Sequence, residues 1–314
     1  DRFIFVSSCS YFLSINSALL YSGERPKIES IGTESLKSPL RRSFSGSKWN
    51  GKDCWFLSND SWNLEKIISK CSFGDFKNAS NRFIVLGNSY APSFAAMFDK
   101  IASETDYSFL VFVNEKIDES SYKPSGLTEN SGASDRFVSG EKFQELIFLL
   151  EDGDAVIWVS DFHGFIDISS FYQGEDSVNA FAKGLKHFEN RLSKNYIKLI
   201  ILDALPLARD AFCRPGQAME QWFNKINYSR CLLPGKQETL DSRSRFHNLA
   251  FSELDNLNKI DLYEAFCPKN FCDYFDSSSE IMLYRDSASH PSVEGVINSE
   301  FLFKKQLMKI IDQN

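Results

Sequence analysis

Apolar residues along this chain fall into short runs separated by longer stretches in which they recur at helical spacing. The runs Phe83–Leu86, Ser108–Val113, Ala155–Val159, Ile197–Leu202 and Ile260–Tyr263 are brief, continuous and rich in Val, Ile or aromatic side chains, which predicts buried strands. Between them, Ser93–Ser103, Glu141–Leu150, Val178–Leu192, Gly216–Ile226 and Leu240–Asn256 carry the three-to-four residue period of amphipathic helices, and a last helix is expected from Ser292 to Ile311. Strands alternating with helices of this length require right-handed crossovers. The predicted fold class is therefore α/β, a flavodoxin-like three-layer sandwich with a mainly parallel sheet. Ligands of such sheets bind beyond the carboxyl ends of the strands.

The pattern changes before residue 51. Residues 24–50 are rich in Ser, Gly, Pro, Lys and Arg with no sustained apolar period, and read as a linker to a domain spanning 51–314. Residues 1–23 are different again: Phe3 to Gly23 carry no charge, yet seven Ser or Asn residues interrupt the apolar ones. Two readings stay open, the end of a membrane helix packed among others or an apolar helix lying on the domain. A long polar stretch, Asn114–Gly140, interrupts the alternation after the second strand and is expected to be a functional loop.

Composition narrows the classes. A net charge of −7 over 314 residues argues against nucleic acid as a partner, because displacing phosphate counterions needs a basic stripe. Of seven cysteines, Cys9 stands alone in the first segment and six lie beyond it. Their order suggests the pairs Cys54–Cys71, Cys213–Cys231 and Cys267–Cys272, although six cysteines allow 15 pairings and buried free thiols are the alternative. No Cys-x-x-Cys and no histidine cluster supports a metal, and no cofactor motif is evident. Three glycosylation sequons, at Asn59, Asn78 and Asn227, fit an extracytoplasmic location.

Chemistry is expected at the end of the first strand, Phe83-Ile84-Val85-Leu86-Gly87-Asn88-Ser89-Tyr90, which runs straight into a helix. A serine on such a turn presents its hydroxyl at the carboxyl edge of the sheet, near the free N–H groups of a helix start, and Gly87 is expected to permit the sharp turn. The bland alternative is a helix N-cap. A serine nucleophile needs a base, and only His163, His187, His247 and His290 are present. His187 falls on a surface helix, and His247 in a charge-rich helix where a solvated role is expected. His290 lies in a loop before the last helix, four residues after Asp286, which is placed to hold the imidazole in the right tautomer.

With these residues in view, Gly87-Asn88-Ser89 resembles the Gly-Asp-Ser first block of SGNH hydrolases, and Asp286 to His290 resembles their C-terminal Asp-x-x-His block. Leu202-Asp203-Ala204-Leu205-Pro206, the Cys267-Pro268 to Cys272 element and Leu283-Tyr284 are similar to the SGNH domain fused to membrane acyltransferase-3 proteins. Asn88 departs from the usual Asp, and His290 lies one residue further from Asp286 than in the block. Ser160-Asp161-Phe162-His163 stands where the family's Asn is expected.

The resemblance implies an O-acyl esterase or acyltransferase working through an acyl-Ser89, with His290 as base and Asp286 as its carboxylate. Asn88, Gly126, Ser160, Asp161 and His163 are the candidates for oxyanion or substrate contacts. It also implies an acyl donor and a hydroxyl acceptor on a carbohydrate or lipid, an extracytoplasmic location, and a membrane acyltransferase domain fused N-terminal to this chain. The competing reading is an inactive binding or regulatory module on the same fold.

Overall fold

The computed structural model describes residues 44, 46–56, 63–87, 89–111, 113–114, 141–159, 175–206, 232–276, 278–279, 281–286 and 289–312. Its centre is a six-stranded sheet: β1 (Ser72–Phe73), β2 (Asn81–Gly87), β3 (Tyr107–Val111), β4 (Ala155–Val159), β5 (Lys198–Leu202) and β6 (Asn258–Ile260). The strand order is β1-β3-β2-β4-β5-β6, with β1 antiparallel to β3 and every other pair parallel. The five parallel strands thus run second-first-third-fourth-fifth, the flavodoxin-like winding, and the order reverses between β2 and β4.

The sheet is built from runs with no polar face to spare. All five residues of β4 are buried, as are Phe83 to Leu86 of β2 and Leu199 to Leu202 of β5, because helices cover both sides. Over one face, Phe98 of α2 (Ala95–Glu104) stacks on Phe109 at 4.9 Å, and Phe109 stacks on Phe83 at the same distance. Phe303 of the last helix meets Phe98 edge-on at 5.7 Å. Trp158 instead meets Phe188 of the helix Glu175–Ser193, which packs with Lys236–Ala250.

Several elements differ from the sequence-based expectation, each for a local reason. The expected strand Ile260–Tyr263 ends at Ile260, because the Asp261 carboxylate accepts the Tyr263 N–H at 2.9 Å and opens the short helix Tyr263–Phe266. The expected helix from Ser292 to Ile311 breaks at Ser299 into Val293–Asn298 and Glu300–Ile311, where the Ser299 hydroxyl bonds back to the Val296 carbonyl. The strand expected to reach Val113 stops at Val111, and Val113–Asn114 pairs with Trp55–Phe56. The helix expected at Gly216–Ile226 lies outside the described residues.

The stretch read as linker also reaches into the core. Trp49 is 1% exposed, stacks on Phe73 at 5.5 Å and donates its indole N–H to the Val111 carbonyl at 3.2 Å. Nearby, a disulfide joins Cys54 to Cys71, tying this strap to α1 (Leu64–Cys71). A second disulfide joins Cys267 to Cys272, whereas Cys9, Cys213 and Cys231 lie outside the described residues. Asn78 lies in an exposed turn.

Truncating a buried tryptophan removes both apolar burial and the bond to Val111. Trp49→Ala is expected to lower the unfolding free energy by about 3–5 kcal/mol in urea denaturation. Phe148→Ala, at a side chain 76% exposed, should shift it by no more than about 0.5 kcal/mol.

Candidate active site

The carboxyl end of β2 approaches its neighbour so closely that only glycine fits. A Cβ at Gly87 would lie 1.8 Å from the Val159 carbonyl oxygen, the residue paired with it on β4. Gly87 does not have a positive φ, so the glycine serves a close approach rather than the sharp turn expected from sequence. Two residues on stands Ser89, at the point where the strand order reverses.

Ser89 does not cap a helix with its side chain. A 3-10 turn, Ala91–Phe94, follows it and leads into α2. The Ser89 hydroxyl instead lies 2.8 Å from Nε2 of His290, 201 residues away in sequence. Its carbonyl accepts a 3.2 Å bond from the Ser93 hydroxyl, which helps to fix the backbone of the turn.

His290 is held from three sides. Its Nδ1 lies 3.0 and 2.9 Å from the two carboxylate oxygens of Asp286, and its backbone N–H donates to Asp286 Oδ1 at 3.2 Å. The ring of Tyr90, a buried side chain next to the serine, lies 4.6 Å from the imidazole centroid to centroid. The tautomer that fits has Nδ1–H donating to Asp286 and Nε2 accepting from the Ser89 hydroxyl. Partial burial pushes the Asp286 carboxyl upward. The bond from His290, the charges of His290 and Arg285 and the backbone N–H outweigh it, so the carboxyl is held below the usual range and stays ionised at neutral pH.

The other expected site residues fall elsewhere. Asn88, Gly126, Ser160, Asp161 and His163 lie outside the described residues. His187 is exposed on its helix. His247, expected to be solvated, is a correction: only 20% of its side chain is exposed, and Nε2 lies 2.8 Å from Asp203 Oδ1.

Asp203 immediately follows β5, and its fully buried side chain gathers Arg243, the His247 ring and, at 2.9 Å, Lys259 Nζ. Arg243 also reaches Asp261 at 2.7 Å and lies over the Tyr263 ring. The sequence signal for this network was the four-residue step from Arg243 to His247, which puts both on one helix face. Nothing local pointed to an acid 40 residues earlier. Burial raises the Asp203 carboxyl, but the bond from His247 and the Arg243 charge outweigh it and hold it far below the ordinary range. Tyr90, Tyr274 and Ser289 were likewise not singled out in the sequence.

The model of the family described as SGNH domain (fused to AT3 domains) matches residues 53–302. Among solved structures, the periplasmic domain of a lipopolysaccharide acetyltransferase from Salmonella ser. Paratyphi A is similar, with 16% identity, 83% of this chain and 92% of that chain covered, and a TM-score of 0.51. A GDSL-like lipase from Bacteroides thetaiotaomicron aligns at 16% identity over 73% of this chain and 88% of its own, with a TM-score of 0.40. An acetylxylan esterase from Geobacillus stearothermophilus aligns at 9% identity over 74% and 96%, with a TM-score of 0.37. No curated protein matches the chain.

The Asp203 network has a defined pH signature. A carboxyl depressed by folding contributes stability that is fully present above its unfolded value of about 3.9 and is lost as pH falls through the folded value. Asp203→Asn should therefore cost on the order of 3 kcal/mol at pH 7, because Lys259 loses the carboxylate at 2.9 Å and Arg243 keeps only Asp261. In urea denaturation repeated at decreasing pH, the gap between native and variant protein should narrow below about pH 4.

Proposed function

The chain belongs to the family of SGNH domains fused to AT3 domains, and on that footing we propose that it is a serine-dependent O-acyl esterase or acyltransferase whose nucleophile is Ser89. The observation that carries the reading is the 2.8 Å contact between Ser89 Oγ and His290 Nε2, with Asp286 on the opposite ring nitrogen. Two segments 201 residues apart bring a hydroxyl, an imidazole and a carboxylate into hydrogen-bonding sequence, which supports the roles of nucleophile, base and orienting group.

In the proposed reaction, His290 Nε2 takes the Ser89 hydroxyl proton as Oγ bonds to the acyl carbonyl carbon. The tetrahedral adduct collapses, the bond to the leaving alkoxide breaks, and His290 returns the proton to that oxygen, leaving acyl-Ser89. A water or acceptor hydroxyl then gives its proton to His290 and attacks the same carbon, and as the second tetrahedral adduct collapses the bond to Ser89 Oγ breaks and His290 returns the proton to that oxygen. Asp286 stays ionised throughout and stabilises the imidazolium. The Ser89 backbone N–H, with Asn88 and Gly126, are the proposed donors to the oxyanion, and Ser160, Asp161 and His163 the proposed substrate contacts.

The acyl group we propose is short, acetyl above all, moving to or from a hydroxyl of a carbohydrate or lipid. The fusion that describes the family and the acetyltransferase among the similar structures support this. The same considerations support an extracytoplasmic setting and a membrane acyltransferase domain as the functional partner. Among the described residues no helix is long and apolar enough to cross a membrane.

A fluorophosphonate probe should label the native protein and fail to label Ser89→Ala. Absence of labelling in the folded native chain would favour a binding module over an enzyme. Against a nitrophenyl acetate, Asp286→Asn should lower kcat by about a thousandfold to ten-thousandfold, because the amide favours the wrong imidazole tautomer.

A further inference from the structure

The loop that carries His290 is a closed hairpin. Tyr284 bridges Pro291 in antiparallel fashion, and the Arg285 N–H donates to the His290 carbonyl at 2.9 Å. Nearer the tip, the Ser289 N–H donates to the Asp286 carbonyl at 3.1 Å. Ser289 itself has a φ of 58°. Glycine ordinarily fills such a left-handed position because it has no Cβ to crowd the backbone.

Serine stands there with a partner. Ser289 is fully buried, and its hydroxyl lies 3.0 Å from the hydroxyl of buried Tyr274. Tyr274 belongs to the segment before the loop, where its carbonyl accepts the Leu283 N–H at 2.8 Å and its ring lies 5.0 Å from that of Tyr284. The tip is therefore tied to the base of its own hairpin by a side-chain bond.

This tie bears on the spacing of the site. Asp286 and His290 are one residue further apart than in the Asp-x-x-His block, yet Nδ1 reaches both carboxylate oxygens within 3.0 Å. Without the left-handed step at Ser289, the chain would leave the turn in another direction and the His290 N–H would not return to Asp286.

We propose that Tyr274 is a positioning residue whose hydroxyl locks Ser289 in its left-handed conformation and thereby sets the His290 ring between Ser89 and Asp286. The proposal rests on the serine-esterase reading for its kinetic consequence, although the geometry of His290 can be observed without turnover. Glycine at this position would enter the left-handed conformation freely and leave it as freely, whereas the tethered serine is held.

The test compares Ser289→Ala, Ser289→Gly, Tyr274→Phe and the double variant Tyr274→Phe/Ser289→Gly. Each is measured for kcat and KM on a nitrophenyl acetate, for the NMR signal of the His290 Nδ1 proton in the resting protein, and for its melting transition. Ser289→Ala keeps the Cβ and loses the tether, so kcat should fall about tenfold to a hundredfold with KM within about twofold, as a displaced general base requires. Its Nδ1 proton should exchange faster with water.

Tyr274→Phe should behave alike, and adding Ser289→Gly to it should restore most of the lost kcat, a rescue that a merely destabilised core would not give. If Tyr274→Phe fails to fold, the lower kcat of Ser289→Ala relative to Ser289→Gly carries the same comparison. Native kcat and native Nδ1 signal in both Ser289→Ala and Tyr274→Phe would overturn the proposal, as would a double variant no better than Tyr274→Phe. Should Ser89→Ala still take the serine probe, the esterase reading fails by itself, and the Nδ1 signal continues to report on the tether.

Discussion

The contact between Gly87 and the Val159 carbonyl sets the terms for the rest of the molecule. At this point β2 and β4 run side by side, and the strand order reverses between them. A side chain at position 87 would force the strands apart by more than an ångström, and the register that buries Leu86 and Trp158 would go with it. The serine two residues later inherits its position from that packing. Its hydroxyl meets His290 at 2.8 Å from a turn whose preceding strand cannot shift.

The second half of the site is delivered by a different physical device. His290 stands on a hairpin rather than on the sheet, and hairpins are less rigid than strands buried on both faces. Its precision comes from several weak restraints acting together: the bonds that close the loop, the Tyr90 ring against the imidazole, and the two-oxygen grip of Asp286. The helix that follows is capped by Ser292, whose hydroxyl accepts the Gly295 N–H and donates to the Met282 carbonyl, so the hairpin exit is pinned as well. A serine held by the sheet thus faces an imidazole whose support is distributed.

The sequence disclosed the sheet wherever burial on both faces removed polar residues. Ala155–Val159 matches its strand end to end for that reason, and the flavodoxin-like order followed from strand and helix alternation. It concealed what depends on partners far along the chain. β1 has two residues, too few for any period, and β6 begins on Asn258 and Lys259, whose polarity suits a sheet edge and hid the strand. Ser89 and His290 were legible because each sits where an element ends, the usual place for chemistry. The one-residue displacement of Asp286 was legible too, but not its resolution, since nothing about a serine announces a left-handed backbone. His247 was misread because its acid, Asp203, comes from another layer.

The Trp49 strap has a consequence for how the domain is presented. Val111, whose carbonyl receives the indole, is the last residue of β3, and strand carboxyl ends gather on the same rim as Ser89. Trp49 thus packs at the rim where Ser89 stands, not at the opposite pole. Any anchor upstream of Trp49 would be joined to the domain through that rim. Orientation toward a surface would then be written into the packing of one tryptophan, before any substrate is recognised.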